Sequence, residues 1–230
     1  MSEQHKNLAW IDLETTGLSP AADAILEIGV VITDMDLNVV NQRSWVCNPA
    51  GVDGRRGSVL AFTEITPHVW EMHTKNGLWR LSQESLIDLT IAQAKARRFI
   101  GENDAAGSPA CGGSVHFDRA FLKCQAPLLD SVFHYRNLDV SSIRNVFKFF
   151  VPNVYEKSLY VARTGENKEP EHRALDDLAF SIRELKFFLN YLNDTGVDSM
   201  RQALAFAASV IKSGEGWTID CERTIGEHLR

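Results

Sequence analysis

The first part of the chain alternates short apolar runs with turn-forming residues, a pattern that predicts β-strands. Leu8 to Leu13 is apolar apart from one acid and runs into T-T-G-L-S-P, so it predicts a strand that ends in a loop. Ile25 to Thr33 is rich in β-branched residues and predicts a second strand. Val39 to Val46 predicts a third, and the intervening D-M-D-L-N predicts a hairpin turn. The opening section therefore indicates an antiparallel sheet.

From Val69 onward, apolar positions recur at helical intervals. The clearest helical pattern extends from Leu81 to Ile100. Pro109 to Gly113 predicts a short buried strand that ends in glycines, and Phe117 to Cys124 predicts the start of a helix. Asp139 precedes another apolar-periodic run in the position of a helix N-cap.

The last third of the chain combines a polar segment with further helices. Residues 152–171 include T-G-E-N-K-E-P-E and are expected to form an exposed loop. A strong helix is expected from about Arg173 to Asn193, and residues 199–211 have a further helical pattern. Strands followed by helices predict an α/β fold with mixed strands. We expect residues 1–194 to form the main domain and residues 195–230 a C-terminal helical extension of open role.

Composition narrows the class of protein. The chain has 230 residues, of which 44% are hydrophobic, enough for a full core. Its net charge of −6 argues against an extended basic face that grips long duplex DNA, but it leaves room for a short substrate held beside metal ions. The four scattered cysteines indicate neither a zinc ribbon nor a disulfide framework. We expect a reduced cytoplasmic setting, with no membrane span and no signal peptide.

The most informative motif is I-D-L-E-T-T-G-L at residues 11–18. Asp12 and Glu14 stand two positions apart on the first predicted strand, so their side chains project from the same face. Two neighbouring carboxylates repel each other unless a cation lies between them, and such oxygen ligands suit Mg²⁺ or Mn²⁺. The alternative is an exposed strand edge that carries two solvated acids.

Two further motifs carry candidate residues. In G-G-S-V-H-F-D, Asp118 falls in the first turn of a predicted helix, where an acid commonly serves only the helix dipole. In H-R-A-L-D-D, His172 could act as a general base while an acid of the adjoining helix binds metal. Periodicity leaves Asp176 and Asp177 equally placed for that acid, and the plain alternative is a helix start enriched in acids.

The order D-x-E, then D, then H-x-x-x-x-D resembles the DEDD superfamily of 3′→5′ exonucleases in its histidine-containing branch. The resemblance implies an RNase H-like fold with a mixed five-stranded sheet flanked by helices. It selects Asp177 over Asp176 and implies two divalent ions, Mg²⁺ or Mn²⁺, with His172 deprotonating the attacking water. Their expected ligands are Asp12, Glu14, Asp118 and Asp177.

Further blocks are similar to the oligoribonuclease family over roughly residues 7–193: N-L-A-W-I-D-L-E-T-T-G-L, W-E-M-H-T-K-N-G-L, C-G-G-S-V-H-F-D-R-A-F-L and, most discriminating, F-H-Y-R-N-L-D-V-S. The resemblance implies hydrolysis of short RNA to mononucleotides by a homodimer. Tyr135 would reach the partner's active site, and Arg136 would help to hold the substrate's 5′ phosphate. The alternatives are a proofreading-type exonuclease that acts on single-stranded DNA and a nucleic-acid-binding relative that has lost catalysis.

A short single-stranded substrate offers few phosphates, so stacking on side chains must hold it. The candidates for contact with bases are Leu18, Trp70, His73 and Tyr135. Trp70 could equally be a buried core residue. Ser114 and Ser141 are candidates to hold the terminal phosphate, although each also suits a turn or helix start. The chain departs from the family pattern at Thr15, at Gly113 and across residues 47–66.

Overall fold

A computed structural model describes residues 6–49, 65–163 and 172–193. In this part of the chain five strands form one mixed sheet in the order β3-β2-β1-β4-β5. Strand β2 pairs antiparallel with β1 and β3, whereas β4 pairs parallel with β1 and β5. The mixed five-stranded sheet is therefore confirmed. The strands are β1 (Leu8–Thr15), β2 (Ile25–Thr33), β3 (Val39–Val46), β4 (Ala110–Gly112) and β5 (Asn137–Asp139).

The predicted hairpin between β2 and β3 is confirmed. The amide of Asp34 donates to the carbonyl of Asn38 at 3.0 Å, and the Asp34 carboxylate accepts from the Asn38 amide at 2.8 Å. The side chain thus satisfies backbone groups inside the turn, as aspartate commonly does.

Eight helices are present in the described residues: α1 (Pro67–Lys75), α2 (Leu78–Glu84), α3 (Leu89–Glu102), α4 (His116–Gln125), α5 (Pro127–Asp130), α6 (Val140–Phe150), α7 (Pro152–Ala162) and α8 (Ala174–Tyr191). The predicted N-cap of α6 is confirmed, because the Asp139 side chain accepts a hydrogen bond from the Ser141 amide. The strong helix predicted near residue 173 corresponds to α8.

Two expectations about helices were wrong. The helical pattern over residues 81–100 is interrupted, because Ser85 is extended and its hydroxyl donates to the Val46 carbonyl at 2.7 Å. Asp88 then caps a new helix by accepting from the Ile91 amide. Residues 152–162 form α7 rather than a loop, since Pro152 suits the first turn of a helix and Val154 and Ala162 are buried. The rest of that segment lies outside the described residues, apart from Arg163.

The sheet has two different faces. Ala9, Ile11 and Leu13 of β1 belong to the main hydrophobic cluster, which also contains residues of α3, α4 and α5. Since side chains alternate along a strand, Asp12 and Glu14 project from the opposite face. On β2 their paired residues are Gly29 and Glu27. The acids of the D-x-E motif therefore share a face with β2 side chains and are separated from the main core.

The contacts within the chain define two units, Met1–Glu184 and Leu185–Arg230, with the boundary inside α8. The sheet and every candidate site residue belong to the first unit. The expected helical extension, residues 195–230, lies outside the described residues, so its boundary at residue 194 stays a prediction. Among the helices of the described segments, none has the length and apolar character needed to cross a membrane.

Candidate active site

Three carboxylates meet at the end of β1. Asp12 and Glu14 come from β1, and Asp177 comes from the first turn of α8. One oxygen of each side chain lies within 4.8 Å of the others. The structure therefore brings together residues separated by more than 160 positions, and it selects Asp177, because its neighbour Asp176 is exposed and is not part of this group.

A missing side chain on β2 allows α8 to approach. Gly29 is paired with Asp12 across the β1–β2 ladder. A Cβ atom at Gly29 would lie 2.6 Å from the Cβ of Ala174, the first residue of α8, which is fully buried. The glycine thus permits the helix to begin directly against the sheet, next to Asp12. This contact places Asp177 one turn along the helix, beside the two acids of β1.

Asp118 lies beside the three-carboxylate group. It is in the first turn of α4 and is 3% exposed, and its Oδ1 accepts a hydrogen bond from the Leu13 amide at 2.9 Å. Its negative charge is among the causes that raise the pKa of Asp12. Asp118 is therefore buried against β1 and bonded to its backbone, a contact that the helix dipole alone does not explain.

The four acids hold their protons more tightly than isolated carboxyl groups. Burial, followed by the charges of Asp118, Glu14 and Asp177, raises the pKa of Asp12 well above its usual value. Burial raises the pKa of Glu14 to about 9, that of Asp118 to about 8 and that of Asp177 to about 6. Ionising all four without a counter-charge is costly.

This donor set fits divalent metal ions. Carboxylate oxygens are the ligands that Mg²⁺ and Mn²⁺ prefer, and a cation would relieve the repulsion that raises these pKa values. Asp12 and Glu14 on one strand and Asp177 on α8 offer convergent oxygens, with Asp118 adjacent. The site is therefore suited to cation binding.

His172 lies at the entrance to α8 and is exposed. Its backbone has a φ of 49°, and its carbonyl accepts a hydrogen bond from the Asn76 side chain at 2.7 Å. Burial raises the pKa of Asp177, and the proximity of His172 opposes this shift. The structure thus brings the predicted base close to a predicted metal ligand.

The next residue, Arg173, pairs with Glu27 of β2. Its Nε and Nη2 atoms donate to the two carboxylate oxygens of Glu27 at 2.9 and 2.8 Å. Glu27 is 1% exposed; burial favours its protonated form, but hydrogen bonds from Arg173 and Ser44, the Arg173 charge and the Ala174 amide together lower its pKa. Sequence reasoning missed this pair, although a lone acid in an otherwise apolar strand signals a buried partner.

Leu18 projects from a short loop that follows β1. The Asp23 carboxylate accepts from the Thr16 hydroxyl at 3.2 Å and from the Ser19 amide at 2.8 Å, which closes the loop. A Cβ at Gly17 would lie 2.5 Å from this carboxylate, so a larger residue there would displace the Asp23 side chain from the loop. Leu18 is 82% exposed, which leaves its side chain free for contact with a ligand.

Trp70 and His73 lie on α1 but differ in exposure. Trp70 is 45% exposed and packs on Trp79 with ring centroids 4.8 Å apart, so it is not the buried core residue of the alternative interpretation. His73 is 1% exposed, and its Nε2 lies 2.9 Å from the Thr15 carbonyl oxygen. Burial lowers the pKa of His73. Its ring offers no open face for stacking, but it supports the residue that leads into the Leu18 loop.

The two predicted phosphate-binding serines lie together. The hydroxyls of Ser114 and Ser141 are 3.1 Å apart, and Asp139 accepts hydrogen bonds from both of their amides. Ser114 has a φ of 54° at the end of β4. Asp139 thus joins the segment after β4 to the start of α6.

Tyr135 and Arg136 form an exposed projection. Tyr135 is 75% exposed, and it contacts the His134 ring and the Arg136 guanidinium. Buried Arg119 supports this segment, since it pairs with Asp130 at 2.7 Å and donates to the His134 carbonyl at 3.0 Å. The contacts of Arg119 thus hold the segment from which the exposed Tyr135 side chain projects.

Comparison with known proteins adds family relationships to this geometry. The Exonuclease family model (RNase_T) matches residues 9–185. The oligoribonuclease of Colwellia psychrerythraea is 39% identical over 189 residues, covering 82% of this chain and 96% of the relative. The oligoribonuclease of Pseudoalteromonas atlantica is 35% identical, covering 84% of this chain and 98% of the relative.

Solved structures support the fold. The zinc-bound complex of E. coli exonuclease I with single-stranded DNA aligns with a TM-score of 0.54 at 17% identity, covering 87% of this chain and 45% of that one. An exonuclease I from Methylocaldum szegediense aligns with a TM-score of 0.57 at 16% identity, with the same coverage of the two chains. At these identities the likeness concerns the fold, and it confirms the RNase H-like exonuclease fold.

Proposed function

Because this chain belongs to the oligoribonuclease family of exonucleases, we propose that it is a 3′→5′ exoribonuclease that hydrolyses short RNA oligonucleotides to mononucleotides. The observation that carries the proposal is the convergence of Asp12, Glu14 and Asp177 within 4.8 Å, with Asp118 beside them. We assign these four residues to two divalent ions, Mg²⁺ or Mn²⁺. When bound, the ions supply Lewis-acid stabilisation of charge on the scissile phosphate.

His172 is the general base in this proposal. It accepts a proton from water as the water oxygen attacks the phosphorus of the 3′-terminal phosphodiester. The bond from this phosphorus to the 3′ oxygen of the preceding nucleotide breaks, and that oxygen takes a proton from solvent. The products are a nucleoside 5′-monophosphate and an RNA shortened by one nucleotide. The exposure of His172 leaves its ring accessible to water.

The substrate is held by residues around the carboxylates. Leu18 and Trp70 are exposed apolar side chains that suit contact with bases, whereas buried His73 acts by supporting Thr15. Ser114 and Ser141 present adjacent hydroxyls for the terminal phosphate. These few proposed contacts with bases and with the terminal phosphate suit a short substrate.

We further propose that the active form is a homodimer in which Tyr135 and Arg136 complete the partner's site. The proposal is supported by the exposure of Tyr135, by the contact between its ring and the Arg136 guanidinium, and by the hydrogen bond from Arg119 that holds the neighbouring backbone. These groups suit base stacking and phosphate binding respectively. Residues 195–230 form a separate extension of the exonuclease domain in this proposal.

The test is a product ladder from 5′-labelled RNA and DNA, from dinucleotides to about twenty nucleotides, with Mn²⁺ and with Mg²⁺. Rapid hydrolysis of the shortest RNA with stepwise loss from the 3′ end is the expected result. Efficient processing of long single-stranded DNA would instead favour a proofreading-type exonuclease. Absence of hydrolysis in every lane would favour a binding protein, and Asp12→Asn serves as the inactive control.

A further inference from the structure

Arg173 and Glu27 connect the residue after His172 to the centre of the sheet. Two charge-assisted hydrogen bonds of 2.9 and 2.8 Å join the guanidinium to both carboxylate oxygens. Such a fork fixes the orientation of an arginine as well as its distance. The amide of Ala174 also donates to Glu27, at 3.5 Å. Glu27 therefore holds two successive residues that follow His172.

A second contact holds His172 itself and comes from a residue far earlier in the chain, Asn76. The Nδ2 of Asn76, the residue that follows α1 and caps it, donates to the His172 carbonyl at 2.7 Å. The Oδ1 of the same side chain accepts from the Leu78 amide at 3.0 Å, which fixes the side chain. His172 adopts a φ of 49°, a conformation that a residue with a Cβ keeps only when its surroundings enforce it.

The Glu27 carboxylate is fully engaged in hydrogen bonds, chiefly with Arg173 and in addition with Ser44 and the Ala174 amide. Glu27 is paired with Glu14 across the β1–β2 ladder, so its backbone lies next to that of an expected metal ligand. Both of its oxygens nevertheless accept hydrogen bonds from Arg173. Glu27 is not a member of the group of three carboxylates that converge at the end of β1, although its charge still raises the pKa values of Asp12 and Glu14.

We propose that Glu27, through Arg173, and Asn76 are positioning residues that hold His172 in the conformation required of the general base. The proposal rests on the assignment of His172 as that base. General-base catalysis depends on hydrogen-bond reach to the proton, and a displacement of about 1 Å can lower a rate roughly 10²-fold. Loss of either contact should therefore reduce turnover while the carboxylates still bind metal.

The first experiment compares Glu27→Gln with a matched control, Glu184→Gln. Glu184 forms a similar fork with Arg144, and the side-chain exposures of the two pairs are nearly equal: 26% and 1% for Arg173 and Glu27, 26% and 0% for Arg144 and Glu184. We expect Glu27→Gln to lower kcat by about 10- to 100-fold with KM changed less than about twofold. Glu184→Gln should leave both constants near those of the unsubstituted chain at a temperature where it stays folded.

A double-mutant cycle distinguishes positioning from general loss of structure. In a His172→Ala background, Glu27→Gln should change kcat by less than about twofold, because the group it positions is already absent. Equal losses in both backgrounds would overturn the proposal. So would a rise in KM with unchanged kcat, or a loss of the two metal sites by calorimetry.

A second variant covers the case in which Glu27→Gln does not fold. Asn76→Asp keeps the oxygen that accepts from Leu78 but removes the donor to His172. It should show the same fall in kcat and the same dependence on His172. In metal-free protein, both variants should increase amide hydrogen exchange in residues 172–177, whereas Glu184→Gln should not. An unchanged exchange rate there in the folded variants would contradict the proposal.

The same experiments separate this inference from the proposed function. If His172→Ala itself retains full activity, the assignment of the base is wrong and the positioning role fails with it. If the chain hydrolyses DNA rather than RNA, the substrate proposal fails, but the cycle can be measured on DNA and still decides the positioning role. Hydrolysis of neither substrate overturns both proposals.

Discussion

Glu14 and Glu27 are directly paired across the β1–β2 ladder, yet the pKa values of their carboxyl groups are shifted in opposite directions. Burial raises the pKa of Glu14 to about 9, with added repulsion from Asp177 and Glu27. Burial opposes ionisation of Glu27, but the hydrogen bonds from Arg173, Ser44 and the Ala174 amide, together with the charge of Arg173, lower its pKa. Two acids on one face thus perform different tasks: one is available to a cation, and the other anchors the segment that begins α8.

The stability of the metal-free protein should decrease with rising pH. Between the ordinary value of 4.5 and about 9, folded Glu14 retains a proton that the unfolded chain has lost. The free energy of unfolding therefore falls as pH rises through this window. The stabilisation that protonated Glu14 contributes is fully present only below the ordinary pKa of 4.5. Asp118 and Asp177 act in the same direction, up to about 8 and about 6 respectively.

Thermal unfolding in EDTA across this pH range measures the effect. Saturating Mg²⁺ or Mn²⁺ should raise Tm, and the gain should be larger at the alkaline end, because the ion binds ionised carboxylates. A Tm that rises with pH in EDTA would contradict the expected sign.

Asp177→Asn should abolish most activity, whereas Asp176→Asn should not. Only Asp177 joins Asp12 and Glu14 in the convergent group, although the two neighbours are alike in chemistry. Removal of a metal ligand costs several kcal/mol of transition-state stabilisation, so kcat should fall roughly 10³-fold or more. Steady-state kinetics and metal calorimetry of the two variants provide the comparison, and equal losses would remove the basis for choosing Asp177.

His172→Ala should lower kcat by roughly 10²–10⁴-fold, the usual contribution of a general base. Metal binding should persist, because none of the converging carboxylates is altered. Calorimetry that detects the ions together with single-turnover rates provides the measurement. Normal turnover in this variant would show that another group accepts the proton.

Gly29→Ala should destabilise the protein by about 1–3 kcal/mol, the usual cost of overpacking a close contact. The added Cβ would lie 2.6 Å from the Cβ of Ala174, so the start of α8 must shift away from Asp12 and activity should fall as well. Gly101→Ala is the control. A Cβ at Gly101, inside α3, meets no heavy atom within 4 Å, and this variant should gain about 0.5–1 kcal/mol. Urea unfolding and activity assays of both variants decide the point.

Tyr135→Ala should weaken substrate binding with little change in stability, because the side chain is 75% exposed. Loss of one stacked base contact costs about 1–3 kcal/mol. Tyr160→Ala, in which a tyrosine of 66% exposure is removed from α7, should leave substrate binding unchanged.

Mixing subunits tests whether Tyr135 acts on the partner's site. Tyr135→Ala chains combined with Asp12→Asn chains should recover about a quarter of the unsubstituted activity, since half of randomly formed dimers would contain one complete site. Recovery requires that Tyr135 of the Asp12→Asn chain completes the site of the other chain. A mixture no more active than its components would exclude the cross-subunit arrangement.

Local sequence determined much of the fold. An apolar run that ends in turn residues specified β1, a β-branched run specified β2, and a less regular alternation of apolar and polar residues specified β3, because strand preference depends on neighbouring residues and on period-two alternation. The same alternation correctly placed Asp12 and Glu14 on one face. The segment at 152–162 was predicted wrongly: the burial of Val154 and Ala162 stabilises α7, whereas the polar run T-G-E-N-K-E-P-E that favoured a loop lies beyond it, at 164–171.

Only the tertiary structure determined which distant residues meet. Spacing left Asp176 and Asp177 equivalent until the contact of Ala174 with Gly29 set the rotation of α8 against the sheet. The pairing of Glu27 with Arg173 joins positions 146 residues apart, and the burial of His73 depends on the approach of α1 to the end of β1. Periodicity reports which face of an element is apolar, whereas the partner of that face is chosen by packing between elements, which no local pattern specifies.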